Sequence, residues 1–303
     1  MSKLRAGIDI GGTKASVGLM EGDRLLGKRR VAVRREAGCA AVMEDVADEL
    51  RELCAEMGVP MERVGFCGIG VPGTVSADGR SVRMAPNLGW MEEPCAELFT
   101  GCNGIPAALV QDARAAALAE QRLGAARGRS AVLCVTLGTG IGTGIVLGGQ
   151  IYHGALGGAG EVGHIPAVAD GRACGCGRLG CVEAYSAGRG IAQTAAEHPQ
   201  WKGPATSEAV FAAATAGNTV ARGILTDAVA KLGAALSAVI NVLSPDALIF
   251  SGGMCAQREL YVQPLTDYIR THAYALSVAE GLLIAPAHLG EDAPMVGAAL
   301  LNT

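Results

Sequence analysis

Two stretches decide how this chain reads: DIGGTKASVGLMEGDRLLG at residues 9–27 and TLGTGIGTGIVLGGQIYHG at residues 136–154. They align without a gap at an offset of 136 − 9 = 127, and Gly11/Gly138, Gly22/Gly149 and Gly27/Gly154 coincide. Each reads as strand, glycine-rich turn, strand, short turn, strand. Glycine supplies the tight turns, and its alternation with Thr, Val, Leu and Ile is poor for a helix and good for a buried sheet. The repeated punctuation predicts an internal duplication.

Around the first copy the pattern predicts strands at Leu4–Ile10, 15–20 and 25–33. Val42, Val46, Leu50, Leu53 and Met57 recur at helical spacing, and Gly58 stops that helix. A buried strand at Val64–Val71, a short helix at 94–101, a strand at Ala107–Gln111 and an Ala-rich helix at 113–124 follow. The second copy opens on a strand at Ala131–Leu137, and its return strand is placed at 145–148. Val220, Ile224, Leu232, Ala235, Val239 and Leu243 mark one long helix ended by Pro245. A strand at 246–250 and helices at 260–275 and 293–301 complete the pattern. Strands alternating with helices give an α/β architecture. With no Pro- or Ser-rich linker, two closely packed lobes are expected, residues 1–120 and 121–303.

Composition narrows the functional classes. Half of the 303 residues are hydrophobic and 18% are charged, which supports a large core and argues against disorder. The balance of 25 − 29 = −4 argues against a chain-wide basic surface for nucleic acid. Glycine stands at 44 residues, about twice the usual share, so glycines are expected at particular turns and close approaches. MSKLRAGIDI contains no apolar signal region, and ten cysteines without one suggest a reducing cytoplasm. Residues 130–160 carry no Asp, Glu, Lys or Arg, yet their strand-like alternation reads as buried sheet rather than membrane.

Several motifs carry chemistry. Asp9-Ile10-Gly11-Gly12-Thr13-Lys14 places a carboxylate at a strand end and a turn whose N–H groups can approach an anion. The reversed Thr-Lys order and the lack of a following helix exclude a P-loop, leaving a phosphate turn and a plain hairpin both open. Residues 138–144, GTGIGTG, offer the same alternatives. GIGVPG at 68–73 matches a dinucleotide fingerprint formally, but Pro72 followed by Gly73-Thr74-Val75 cannot open the helix that fingerprint needs. His164, Cys174, Cys176 and Cys181 have the composition of a tetrahedral zinc site. The remaining cysteines, at 39, 54, 67, 95, 102, 134 and 255, read as core. Asp112, at a strand end, reads either as a functional carboxylate or as a helix cap. Glu161 and Glu183 flank the cluster, and a bound zinc would bring them into one neighbourhood.

DIGGTK at 9–14, GVPG at 70–73, PNLGW at 86–90, TLGTGIGTG at 136–144, EVGHIP at 161–166, CGCGRLGCVEAYSAGRG at 174–190 and SGGM at 251–254 together resemble the ROK family of bacterial sugar kinases and repressors. The resemblance implies a duplicated actin-like, hexokinase-like ATPase fold, two lobes around a cleft. It implies an ATP- and Mg²⁺-dependent hexose kinase with a structural Zn²⁺ held by His164, Cys174, Cys176 and Cys181. Asp112 resembles the family's catalytic base. Asn87, Gln111, Glu161, His164 and Glu183 resemble its sugar ligands. Asp9, Gly11, Gly12, Thr13 and Lys14 resemble the first phosphate loop, Gly138, Thr139 and Gly140 the second, and Gly252 and Gly253 the nucleotide-side turn. It further implies a cytoplasmic homodimer or homotetramer with no nucleic-acid or membrane partner. A family repressor carries a DNA-binding region before this first motif, whereas eight residues precede Asp9 here. The alternatives left standing are a non-catalytic sugar sensor and a kinase for N-acetylmannosamine, allose or fructose.

One departure stands out: the family's Asn-Asp-Ala-Asn is here Gln111-Asp112-Ala113-Arg114. Gln111 carries its amide one methylene further out, so it is expected to shift the hydroxyl it reads. Arg114, on the first turn of the helix, is expected to face solvent or a neighbouring element and to matter less to sugar choice.

Overall fold

The structure, a computed structural model, describes residues 4–274 and 281–301. The first sheet joins β1 (Leu4–Ile10), β2 (Lys14–Glu21), β3 (Arg24–Ala32), β4 (Val64–Val71) and β8 (Ala107–Gln111). Its order is β3-β2-β1-β4-β8, with β1, β4 and β8 parallel and β2 and β3 antiparallel. A small sheet of β5 (Thr74–Val75), β6 (Val82–Ala85) and β7 (Trp90–Glu93) interrupts the run between β4 and β8. The second large sheet joins β9 (Ala131–Leu137), β10 (Ile141–Leu147), β11 (Gln150–Ile151), β12 (Ala247–Ser251) and β13 (Leu283–Pro286). Its order, β11-β10-β9-β12-β13, repeats the first strand for strand.

The 127-residue offset holds to the residue at the main turn. β1 ends at Ile10 and β9 at Leu137, while β2 begins at Lys14 and β10 at Ile141. The return strand therefore starts earlier than the expected 145. Gly22 and Gly149 both turn the next hairpin, at φ +57° and +79°. The third coincidence is not structural. Gly27 lies within β3 against Met57 and Leu53, whereas Gly154 sits in a loop at φ +70°.

By packing, the chain divides into two compact units: Met1–Gly128 with Gly144–Ala159 and His288–Thr303, and Arg129–Thr143 with Gly160–Ala287. The expected lobes, 1–120 and 121–303, assign the end of the chain differently. The last helix joins the first unit because its apolar face has a seat there.

In the first unit α1 (Gly38–Glu56) packs Val42, Val46, Leu50 and Leu53 into the core beside β2. Each such side chain contributes about 1.5–3 kcal/mol on burial. α1 ends where expected, with Gly58 at φ +64°. α2 (Cys95–Asn103) lies against α1, and α3 (Asp112–Arg122) follows β8 directly.

In the second unit β9, β12 and β13 run parallel. Four helices follow one another here: α4 (Glu183–Ser186), α5 (Gly188–Glu197), α6 (Ser207–Thr215) and α7 (Thr219–Leu243). α7 begins at the cap Asn218, whose side chain accepts from the N–H of Ala221, and ends at Ser244, just before Pro245. By length and composition alone α7 could cross a membrane. Ile224, Leu225, Leu232, Leu236 and Ile240 bury one stripe of it, packed beside α6 and α8 (Gln263–His272). The helix expected over 260–275 is α8 preceded by a π-turn at Arg258–Val262; its last residue, Ala275, lies outside the described residues.

Returning to the first unit, α9 (Ala293–Ala299) lies on β1 and β4 and against α3. Two glycines make that approach possible. A Cβ on Gly68 would stand 1.8 Å from the carbonyl oxygen of Ala298, and one on Gly297 would stand 1.8 Å from that of Ala115. Gly68 thus serves helix packing, and no dinucleotide turn forms at 68–73, where Gly68 and Gly70 lie within β4.

Candidate active site

In the first unit three parallel strands end side by side, the usual place for function in such sheets. β1 delivers Asp9, paired in register with Gly70 of β4, and β8 delivers Gln111, paired with Val71 of β4. Asp112 opens α3. Its Oδ1 accepts from the N–H of Ala113 at 2.7 Å, while Gln111 takes the N-cap position. Asp112 is therefore the first helical residue rather than the cap, and a carboxylate that accepts one N–H keeps further acceptor sites. Burial, then the charge of Asp112, pushes Asp9 up to about 7, with Lys14 opposing the shift. The turn after β1 is closed by the N–H of Gly11 donating to Lys14 O at 2.9 Å. Asn87 is exposed on the β6–β7 turn, its carbonyl oxygen 3.8 Å from where a Cβ on Gly12 would lie. Lys14 Nζ reaches Glu291 at 3.2 Å at the exposed edge. Gln111 keeps its Oε1 buried with no hydrogen-bond partner, an acceptor suited to a ligand hydroxyl.

The second unit brings its 138–140 glycine turn against the turn at Gly252. Gly138 N–H donates to Gly140 O at 3.0 Å, and Gly188 N–H, at the start of α5, donates to Gly138 O at 2.8 Å. Gly252 follows β12 at φ +91°, where a Cβ would meet Leu137 O at 2.3 Å, so only glycine fits. Glu183 accepts from the N–H of Ile141 at 2.7 Å, which fixes the end of the 138–140 turn. Beside Gly253 opens a cavity of about 460 Å³, lined also by Met254 and Gln257 and, on α6, by Ser207, Glu208, Phe211 and Thr215. None of these α6 residues stood out in the sequence. Thr206, whose side chain caps α6 by accepting from Ala209 N–H, is the signal that could have placed that helix.

His164, Cys174, Cys176 and Cys181 converge, with one ligand atom from each within 4.8 Å of all the others. His164 Nδ1 lies 3.5 Å from Cys174 Sγ, and Cys176 Sγ lies 3.6 Å from Cys181 Sγ. A tetrahedral zinc with Zn–S and Zn–N bonds of about 2.3 and 2.05 Å requires S···S near 3.8 Å and S···N near 3.5 Å, so the cluster fits that ion. The hairpin that carries it is closed by Cys174 N–H on Arg178 O, and Gly177 and Gly180 turn it at φ +83° and +74°. Arg172 anchors its base, bonding Glu197 and Thr194 and lying over the Tyr185 ring. With Nδ1 turned to the sulfurs, His164 presents Nε2 toward Glu161, 3.9 Å away on the exposed side. Of the seven other cysteines, five are buried as expected, and Cys102 and Cys255 are half-buried.

Two sheets of identical strand order, each opening on a glycine turn, define an ATPase of the actin-like class. The ROK family model matches residues 5–303, and the chain belongs to the ROK family. A ROK hexokinase from Thermus thermophilus is 33% identical and superposes with a TM-score of 0.85, covering 98% of this chain and 97% of that one. A ROK family glucokinase from Streptomyces griseus, solved in complex with glucose and AMPPNP, is 31% identical with a TM-score of 0.81, covering 98% of each chain. The glucokinase of Halalkalibacterium halodurans is 32% identical over 96% of this chain and 92% of its own length.

Proposed function

We propose that this chain, a sugar kinase of the ROK family, transfers the γ-phosphoryl group of ATP to the 6-hydroxyl of a hexose, glucose foremost. The observation that carries the reading is the placement of two carboxylates where the parallel strands end, Asp9 on β1 and Asp112 directly after β8, with the charge of Asp112 reaching Asp9. Asp112 takes the proton of the attacking 6-hydroxyl as its oxygen bonds to the γ-phosphorus and the bond to the ADP oxygen breaks. Phosphoryl transfer passes through a loose transition state, so most of the acceleration is positioning and charge neutralisation.

In each turn the first glycine N–H is already used, Gly11 on Lys14 and Gly138 on Gly140. Phosphate oxygens therefore fall to the N–H groups of Gly12 and Thr13 in one unit and of Thr139 and Gly140 in the other. Gly252 and Gly253, with the cavity beside them, take the nucleotide. Mg²⁺ would neutralise the phosphates, and Asp9, a hard oxygen donor, is the residue that would organise it. Glu161, His164 Nε2, Glu183, Asn87 and Gln111 read the sugar hydroxyls. Zinc would be closed off by four protein ligands, leaving no position for a reacting water. Its part is to hold the His164 ring and the segment leading to Glu183 in place.

We take the cytoplasm as its compartment and a homodimer or homotetramer as its assembly, which light scattering of the purified protein would check. A coupled ADP assay across glucose, mannose, fructose, allose and the two N-acetylhexosamines tests the function. Hexose-dependent ADP release is the expected result. Sugar binding without ADP release on any of them would make the chain a sensor instead.

A further inference from the structure

We infer that Arg114 is a positioning residue for the hexose site: it clamps the loop 153–159, whose chain runs on through Gly160 into Glu161. The inference rests on the reading of Glu161 as a sugar ligand.

Arg114 does not face solvent; the residue is only 6% exposed. Its Nη2 donates to two carbonyl oxygens of the loop, Gly157 and Ala159, each at 2.8 Å. Its Nη1 donates to His153 Nδ1 at 3.2 Å. The loop is shaped to receive it. Gly154 and Gly157 adopt φ of +70° and +76°, which swings the backbone round, and Ala159 N–H closes the loop on His153 O at 3.0 Å. The planar guanidinium fork suits such convergent acceptors in a way an ammonium cannot.

The setting is otherwise unfavourable for a cation. Arg114 lies in the first turn of α3, at the positive end of the helix dipole, and is desolvated. An asparagine there, as in the family pattern, is too short to reach the same carbonyls. One helix end therefore fixes both Asp112 and the loop that leads into Glu161. Because Arg114 works through the loop, its loss should weaken every hexose alike. A residue that reads one hydroxyl would instead change their ranking.

The test uses the full chain with Arg114→Met, Arg114→Lys and His153→Gln. Arg114→Met should raise the KM of every accepted hexose by a common factor, about five- to fiftyfold, with kcat within about threefold and the KM for ATP unchanged. Arg114→Lys should fall between wild type and Arg114→Met. His153→Gln, which keeps an acceptor, should stay within about threefold of wild type. Hydrogen exchange in substrate-free protein supplies a readout independent of turnover. The amides of Gly157 and Ala159 should exchange faster in Arg114→Met, with the rest of the first unit unchanged. Equal losses in hexose and ATP KM, or unchanged exchange at those two amides, would overturn the clamp. Absence of turnover in the wild type would overturn the kinase reading, and the exchange result would still decide the clamp.

Discussion

The two copies of the repeated hairpin share a frame and differ at two places. At the end of the first strand, Asp9 in one copy stands where Thr136 stands in the other. Their partners on the adjacent parallel strand differ to match. Gly70 lies opposite Asp9 and leaves room for a carboxylate, whereas Ser251 lies opposite Thr136 and bonds it, Oγ to Oγ1, at 3.0 Å. The second difference is the third strand. β3 pairs with β2 along its length, while β11 makes only two pairs with β10 before the chain leaves as the loop 152–160. The repeat supplies two glycine turns in equivalent places. The second copy lacks both the carboxylate and most of the third strand, so the two halves are not equivalent.

The largest test of that division is Asp112→Asn, which removes the base and keeps its shape. kcat should fall by about a hundredfold or more while hexose binding, read by calorimetry, stays within a few-fold. Near-normal kcat would reduce Asp112 to a helix-start residue. Next comes the paired comparison of Asp9→Asn with Thr136→Val. The first should lower kcat/KM by about tenfold or more and raise the Mg²⁺ concentration needed for half-maximal rate. The second should cost only the net worth of one hydrogen bond, about 1 kcal/mol of stability, with rates within about threefold. Equal effects would mean that the copies are not specialised. Purified protein should contain one zinc per chain by metal analysis, and Cys176→Ser should lose it, with hexose KM raised about tenfold and the hairpin around Arg178 exposed to protease. Full activity in metal-free protein would remove zinc from the account. The smallest effect belongs to Gln111→Asn. The ranking of hexoses by kcat/KM should shift by a few-fold to about tenfold, and identical rankings would show that the buried Oε1 reads no hydroxyl.

Much of the frame was legible because it is written in local punctuation. β1, β4, β8 and β9 were bounded to the residue, since each is a mainly apolar run that turn residues or a helix start cut off. The small sheet β5–β7 escaped because strands of two to four residues carry no period. The helices between 183 and 215 escaped because Ala and Gly blur their apolar stripe. The cluster of His164, Cys174, Cys176 and Cys181 was legible from composition and spacing. Its neighbour Glu183 was legible as a flanking carboxylate and its sugar role came only by resemblance, while its bond to Ile141 joins residues 42 apart. Arg114 read as facing either solvent or a neighbouring element, and the local sequence does not choose between them. Its burial depends on carbonyls turned by glycines some 40 residues later, which no local pattern reveals.

The seat of α9 has a consequence for how the protein is made. Gly68 and Gly297 open a slot that α9 fills, so the first unit lacks part of its core until the far end of the sequence has been synthesised. At about 5–20 residues per second, the ribosome needs roughly 10–35 s to travel from residue 128 to residue 303. For that interval the face of β1 and β4 that α9 covers is bare. The nascent first unit therefore carries an open apolar slot until α9 docks, and a chain that ends before α9 keeps that slot open.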